Sequence, residues 1–133
     1  MIYALDTNVI IQLINGNELV CGRRDTAIDN GNDIVIPPFA DYEILRGFYF
    51  KPSPLNEKLY SEICEFYPVG VIDSKIWKCG ARLYAELRNA GRSADDGDIL
   101  IAAFCIENGY TLVTNNTKHF KNINGLLVEN WQG

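Results

Sequence analysis

Ile2-Tyr3-Ala4-Leu5-Asp6-Thr7-Asn8 is the stretch that decides how the rest of the chain is read. Four apolar or aromatic residues run straight into an acid, and a helical pattern begins at Val9-Ile10-Ile11-Gln12-Leu13-Ile14. A short run that is apolar on both faces is what a strand covered from both sides requires, and this puts it in the interior of a parallel sheet. Asp6 then stands just past the strand's carboxyl end, where open α/β sheets bind their ligands. Asp, Thr and Asn are also good helix caps. Position alone therefore leaves Asp6 open to either role, and the choice rests on whether other acids fall at matching places downstream.

Residues 17–31 carry Leu19, Val20, Arg23, Ala27 and Ile28 at helical spacing and stop at Gly31-Asn32. Residues 33–36 read as a second strand halted by Pro37-Pro38, and a right-handed crossover makes it parallel to the first. A helical pattern over 39–50 includes Glu43, Arg46 and Gly47, and the prolines within 51–54 break it. Leu55, Leu59, Ile63 and Phe66 predict another helix, followed by a strand over 68–72. Asp73 or Ser74 then caps a helix with Ile76, Gly80, Leu83 and Leu87 in one stripe, Trp77 and Tyr84 beside it, and Gly91 at its end. After the polar loop 92–97, residues 98–106 are apolar nearly all round, which predicts a buried helix with Asn108-Gly109 as its stop. Short strands over 111–114 and 126–128 flank a polar loop, and a tail ending in Trp131 completes the chain. Alternating strands and helices predict an α/β fold: a three-layer αβα sandwich with a mainly parallel sheet of four or five strands, in one domain over residues 1–133.

A chain of 133 residues buries enough surface to fold without metal or disulfide staples. Its 47% hydrophobic and 22% charged residues are those of a soluble globular protein. No apolar run approaches the ~18 residues of a membrane span, and no basic segment with a long apolar stretch opens the chain, so neither membrane nor export is expected. Cys21, Cys64, Cys79 and Cys105 form no C-x-x-C pair and each falls within a helical pattern, as reduced, cytoplasmic thiols would. The net charge of −5 argues against holding nucleic acid by a general positive field. A nucleic-acid substrate would need local basic residues, metal ions or a basic partner.

Parallel strands point their carboxyl ends to one side. Asp6 ends the first strand, Glu43 follows the second about a turn into its helix, and Asn116 follows the strand over 111–114. Asp95, Asp96 and Asp98 open the buried helix, which runs back from that same edge. Clustered carboxylates resist ionising together unless a cation compensates. A hard divalent ion held by a few carboxylates and several waters fits Mg²⁺ or Mn²⁺, and metal-activated water attacking a phosphodiester is the chemistry implied. Each acid has a plainer reading as well. Asp95 with Asp98 three residues on resembles a helix-capping pair, and Glu43 with Arg46 resembles a solvated helix pair. The lone His119 is read as a surface residue without a chemical role. Lys118, Lys121, Arg46, Arg82, Arg88 and Arg92 are phosphate contacts or ordinary surface charges.

Five segments together resemble the PIN-domain ribonucleases, and among them the VapC toxins of bacterial type II toxin–antitoxin systems. They are Leu5-Asp6-Thr7-Asn8, Glu43-Ile44-Leu45-Arg46-Gly47, Asp98-Ile99-Leu100-Ile101-Ala102-Ala103, Val113-Thr114-Asn115-Asn116-Thr117-Lys118-His119-Phe120 and Gly125-Leu126-Leu127-Val128-Glu129-Asn130-Trp131. They span essentially the whole chain in the family's order. The resemblance implies that Asp6, Glu43 and Asp98 hold Mg²⁺, with Mn²⁺ as the alternative ion. The family's fourth position, an Asp or Asn two residues after the Thr, falls on Asn116, here the amide, which implies a water-positioning role in place of direct metal binding. Asp96 is a second carboxylate for a second metal, and Thr7, Asn8 and Thr114 are expected to orient the acids. Arg46, Arg92 and Lys118 are the candidates for RNA contact. Similar proteins cleave RNA, pair as homodimers, and are silenced by a cognate antitoxin that places a basic side chain in the acidic pocket.

Two other classes compete. A haloacid-dehalogenase-like phosphatase also has Asp after its first strand, but it needs a second Asp two positions on, where this chain has Asn8. A catalytically weak RNA-binding module of the same fold would not need Asp6, Glu43 and Asp98 together. A Rossmann cofactor domain is set aside, because no G-x-G-x-x-G follows the first strand.

Overall fold

Strand β1 (Ile2–Leu5) lies in the interior of the sheet, as its unbroken apolar run requires. The computed structural model describes residues 1–133, with four strands in the order β2-β1-β3-β4. The other strands are β2 (Asp33–Val35), β3 (Thr111–Val113) and β4 (Leu127–Glu129), and every pairing is parallel. Tyr3 pairs with Ile34 on one side and Thr111 on the other, while Leu112 pairs with Val128. Helices cover the sheet in a three-layer αβα arrangement: α1 (Thr7–Ile14), α2 (Glu18–Asp29), α3 (Pro38–Phe50), α4 (Pro54–Phe66), α5 (Ser74–Asn89), α6 (Asp96–Asn108) and the short α7 (Thr117–Phe120).

The expected strand over 68–72 does not form. Only Val69 bridges to Ile36, through Ile36 N to the Pro68 carbonyl and Gly70 N to the Ile36 carbonyl, each at 2.9 Å. Pro37, next in the chain, has no N–H with which to continue the ladder. Val71 is left 76% exposed. The sheet therefore has four strands, and all of them are parallel.

Chain order sets where the site lies. The chain steps from β1 to β2 on one side, then crosses through α3, α4, α5 and α6 to β3 on the other side of β1. The carboxyl ends of β1 and β3 thus flank the point where strand order reverses, the usual ligand crevice of an open α/β sheet. Helix α6 is buried at Ile99, Ile101, Ala102, Ala103, Phe104 and Cys105, as its all-round apolarity requires, and Gly109 ends it in a left-handed conformation (φ 70°) that favours glycine. Trp131 closes the far end, 1% exposed and edge-on to Tyr3 at 5.4 Å.

Candidate active site

The backbone of Asp6 is committed on both sides. Its N–H extends the sheet to the Val113 carbonyl at 2.9 Å, and its carbonyl accepts from Val9 and Ile10 to start α1. The side chain, 5% exposed, is thereby fixed in the crevice. Its Oδ1 accepts from Thr7 N at 2.8 Å, and its Oδ2 accepts from Thr114 Oγ1 at 2.7 Å and Asn8 Nδ2 at 3.3 Å. Asp6 is thus a helix cap and a crevice carboxylate at once. Three of a carboxylate's roughly four lone-pair directions are used, which leaves one for a further ligand.

Glu43 joins Asp6 through one residue. Thr7 Oγ1 donates to Glu43 Oε1 at 2.8 Å while the Thr7 N–H serves Asp6. Helix α3 packs against both α1 and α6, so Glu43 stands between the segments that carry the other two acids. Arg46 lies 3.6 Å from Glu43 Oε2 and 5.1 Å above the Tyr42 ring. The solvated helix pair is therefore real, and coexists with the bond from Thr7.

Asp98 lies in the first turn of α6, where the helix dipole favours an acid. Gly97 beside it lets α6 approach α3, since an added Cβ would sit 2.5 Å from Phe39 Cε1. Burial raises the pKa of the Asp98 carboxyl above the usual aspartate range, and the charges of Asp6, Asp95 and Glu43 add to the rise. His119 Nδ1, 3.5 Å from Asp98 Oδ2, opposes it. The expected capping pair is absent: Asp95 occupies the N-cap position but its side chain makes no capping hydrogen bond. Asp95 is exposed and leaves its carboxylate facing the groove beside Asp98. Asp96 is exposed and makes no hydrogen bond or ion pair.

Thr114 is fully buried, and besides donating to Asp6 it accepts from Asn116 N at 3.0 Å. Asn116 is exposed, with no capping bond from its side chain. Two residues that the sequence reading passed over brace this loop. Asn115 Nδ2 donates to Gln12 Oε1 at 2.8 Å, and Asn115 N donates to Asn8 Oδ1 at 3.2 Å. His119, expected to be a bystander, places Nδ1 3.5 Å from Asp98 Oδ2. No periodic pattern marks amides 103 positions apart or a lone histidine on a polar loop.

The donor set is hard and oxygen-rich, and the mutual repulsion felt at Asp98 is of the kind a divalent cation relieves. No three acidic, histidine or cysteine side chains close on a common point as a tight cage would. Oxygen donors of this kind would suit an ion such as Mg²⁺, which keeps several waters and takes only one or two carboxylates directly.

The PIN domain family model matches residues 3–126. The chain is 33% identical to ribonuclease VapC2 of Rickettsia felis, over 98% of each protein. It is 27% identical to ribonuclease VapC19 of Mycobacterium tuberculosis, over 87% of this chain and 90% of that one. The crystal structure of Rickettsia felis VapBC2 bound to a promoter DNA fragment superposes with a TM-score of 0.91 at 30% identity, covering 98% of this chain and 99% of the other. VapBC-1 from nontypeable Haemophilus influenzae shares the fold over 100% of both chains, with a TM-score of 0.88 at 23% identity.

Proposed function

The chain belongs to the PIN-domain family, in its VapC group, and from that premise we propose that it is a divalent-metal-dependent endoribonuclease acting as the toxin of a toxin–antitoxin pair. The observation that carries this reading is the linkage of acids from three segments beside the sheet's switch point. Asp6 and Glu43 share Thr7 as a common donor, and the Asp98 carboxyl is raised by burial and, beyond that, by the charges of both.

Asp6, Glu43 and Asp98 would hold Mg²⁺, with Mn²⁺ as the alternative, and the bound ion would supply Lewis acidity and an acidified water for phosphodiester hydrolysis. The protein's own part is orientation. Thr7, Asn8 and Thr114 hold Asp6 with its free lone pair outward, and Thr7 holds Glu43. The exposed amide of Asn116 lends hydrogen bonds to water without adding charge. Asp96 is the carboxylate available to a second ion. A single nuclease domain over residues 1–133, paired with a second copy, would meet a cognate antitoxin that presents a basic side chain to the notch; the similar chains of Rickettsia felis and Haemophilus influenzae were solved as VapBC. The four cysteines are free, as a reducing cytoplasm would leave them.

One observation favours a second reading, a catalytically weak RNA-binding module: the acids do not close into a tight cage. The haloacid-dehalogenase alternative is disfavoured, because the Asn8 amide is used at both ends, by Asp6 and by Asn115 N. Partner-free protein incubated with total RNA, with Mg²⁺ or with chelator, beside Asp6→Asn, separates the two that remain. Cleavage only with metal and intact Asp6 supports the nuclease; RNA bound but whole under every condition supports the module.

A further inference from the structure

Beside Asp98, with neither Glu43 nor Arg46 in its lining, lies a groove of about 520 Å³ between the end of α5 and α7. Arg88 from α5, Arg92 just after it, and Lys118 and His119 from α7 line it together with Asp95 and Asp98. The local fold explains the convergence. Gly91, at φ 71°, ends α5 and turns the chain, and Arg92 N then bonds back to the Leu87 carbonyl at 2.8 Å. Buried Phe120 anchors α7, which leaves Lys118 and His119 outward.

The cations of this groove are uncommitted. Arg88, Arg92 and Lys118 are exposed and none is in an ion pair, whereas Arg23, Arg24, Arg46 and Arg82 are each within 4.0 Å of a carboxylate. Arg88 lies 5.0 Å above the Tyr84 ring, a contact that orients the guanidinium without neutralising it. Three unpaired cations on one groove are notable in a chain of net charge −5, because the remaining surface repels a polyanion. The lining is mostly polar, with Leu87 and Ala94 its apolar members, and holds no Phe, Tyr or Trp on which a base could stack. Such a surface positions a backbone and does not read sequence.

We infer that this groove seats the phosphates of the RNA strand on one side of the scissile phosphate, through Arg88, Arg92 and Lys118. Of the sequence-derived RNA candidates, Arg92 and Lys118 belong to it; Arg46 is paired with Glu43 and does not line it. The inference rests on the nuclease reading for the identity of the polymer and for the scissile position; the seating of phosphate in the groove does not depend on it. Because these contacts are made equally to bound substrate and transition state, they act on KM and not on kcat.

The test is binding of a short unstructured RNA oligonucleotide in chelator, followed by fluorescence anisotropy over a range of salt concentrations. Wild type is compared with Arg92→Gln/Lys118→Gln, with Arg88→Gln, and with Lys58→Gln on α4 as a charge-matched control. Expected is weaker binding by the double variant and a log–log salt slope shallower by roughly 1.4, from ~0.7 per single-strand phosphate. Arg88→Gln should shift the slope by about half as much, with Lys58→Gln unchanged. In the Mg²⁺ cleavage assay the double variant should raise KM several-fold with kcat retained. The expected slope change in the double variant, beside a wild type that binds but never cleaves, leaves the phosphate-binding groove standing and removes the nuclease reading. A double variant with the wild-type slope, in a protein that does cleave, overturns the groove.

Discussion

Thr114 Oγ1 donates to Asp6 Oδ2 at 2.7 Å, a bond between residues 108 positions apart that ties the ends of β1 and β3 across the crevice. The same hydroxyl accepts from Asn116 N, so one buried atom fixes both the central acid and the loop that carries the amide. Thr114→Val keeps the shape and removes both bonds. The expected loss is about 1–3 kcal/mol of stability, from a buried carboxylate oxygen short of a donor and an N–H without its acceptor. RNA cleavage should fall with it, and Thr114→Ser should restore both. Urea denaturation and the cleavage assay check this.

Thr7 serves Asp6 with its N–H and Glu43 with its hydroxyl, so Thr7→Val removes only the second bond. Residues that orient metal-binding carboxylates typically account for about 10–100-fold in activity or affinity. Expected is a fall of that size in cleavage with little change in stability, rescued by Thr7→Ser. A variant that cleaves as wild type does would show that Glu43 needs no such support.

Asp98 gives the stability curve a recognisable pH dependence. Its pKa is raised in the folded state by burial and by Asp6, Asp95 and Glu43. Between the ordinary aspartate value and the raised one, the unfolded chain has lost a proton that the native state keeps. Stability from this group is therefore full at low pH and declines as pH rises through that window. Asp98→Asn should raise the melting temperature of metal-free protein at neutral pH, and the gain should vanish below the ordinary aspartate range. A melting curve for the variant that parallels wild type from acid to neutral pH would contradict this.

Tyr60 supplies a control remote from the crevice. Its hydroxyl donates to Asp41 Oδ1 at 2.6 Å, joining α4 to α3, and burial with that bond keeps the phenol protonated well beyond its usual range. Tyr60→Phe should cost about 1.5–3 kcal/mol in urea denaturation, the net worth of a hydrogen bond to a charged partner. Cleavage of RNA should stay within a factor of two of wild type, to order of magnitude.

The sheet was legible because burial on two faces demands unbroken apolarity, and β1, β3 and α6 carry it. That same rule misled at 68–72, where Val69 and Val71 are apolar yet exposed and Pro37 stops the ladder they would have joined. Asp6, Glu43 and Asp98 could be placed at one edge from strand direction alone. What brings them into register could not be foreseen: the Thr7–Glu43 bond, the Gly97 approach to Phe39 and the Gln12–Asn115 pair are tertiary contacts with no local signal. The capping pair read into Asp95 and Asp98 failed for a related reason, since motif spacing does not fix where a side chain turns.

Diffraction from crystals of the partner-free protein soaked in Mn²⁺, measured at the manganese absorption edge, addresses the central claim most directly. Expected is an anomalous peak in the notch between Asp6, Glu43 and Asp98, with at least one of these carboxylates in direct contact, water filling the remaining positions, and no such peak in Asp6→Asn. Saturating Mn²⁺ that leaves the notch empty, or that gathers only on surface acids remote from residues 6, 43 and 98, would contradict it.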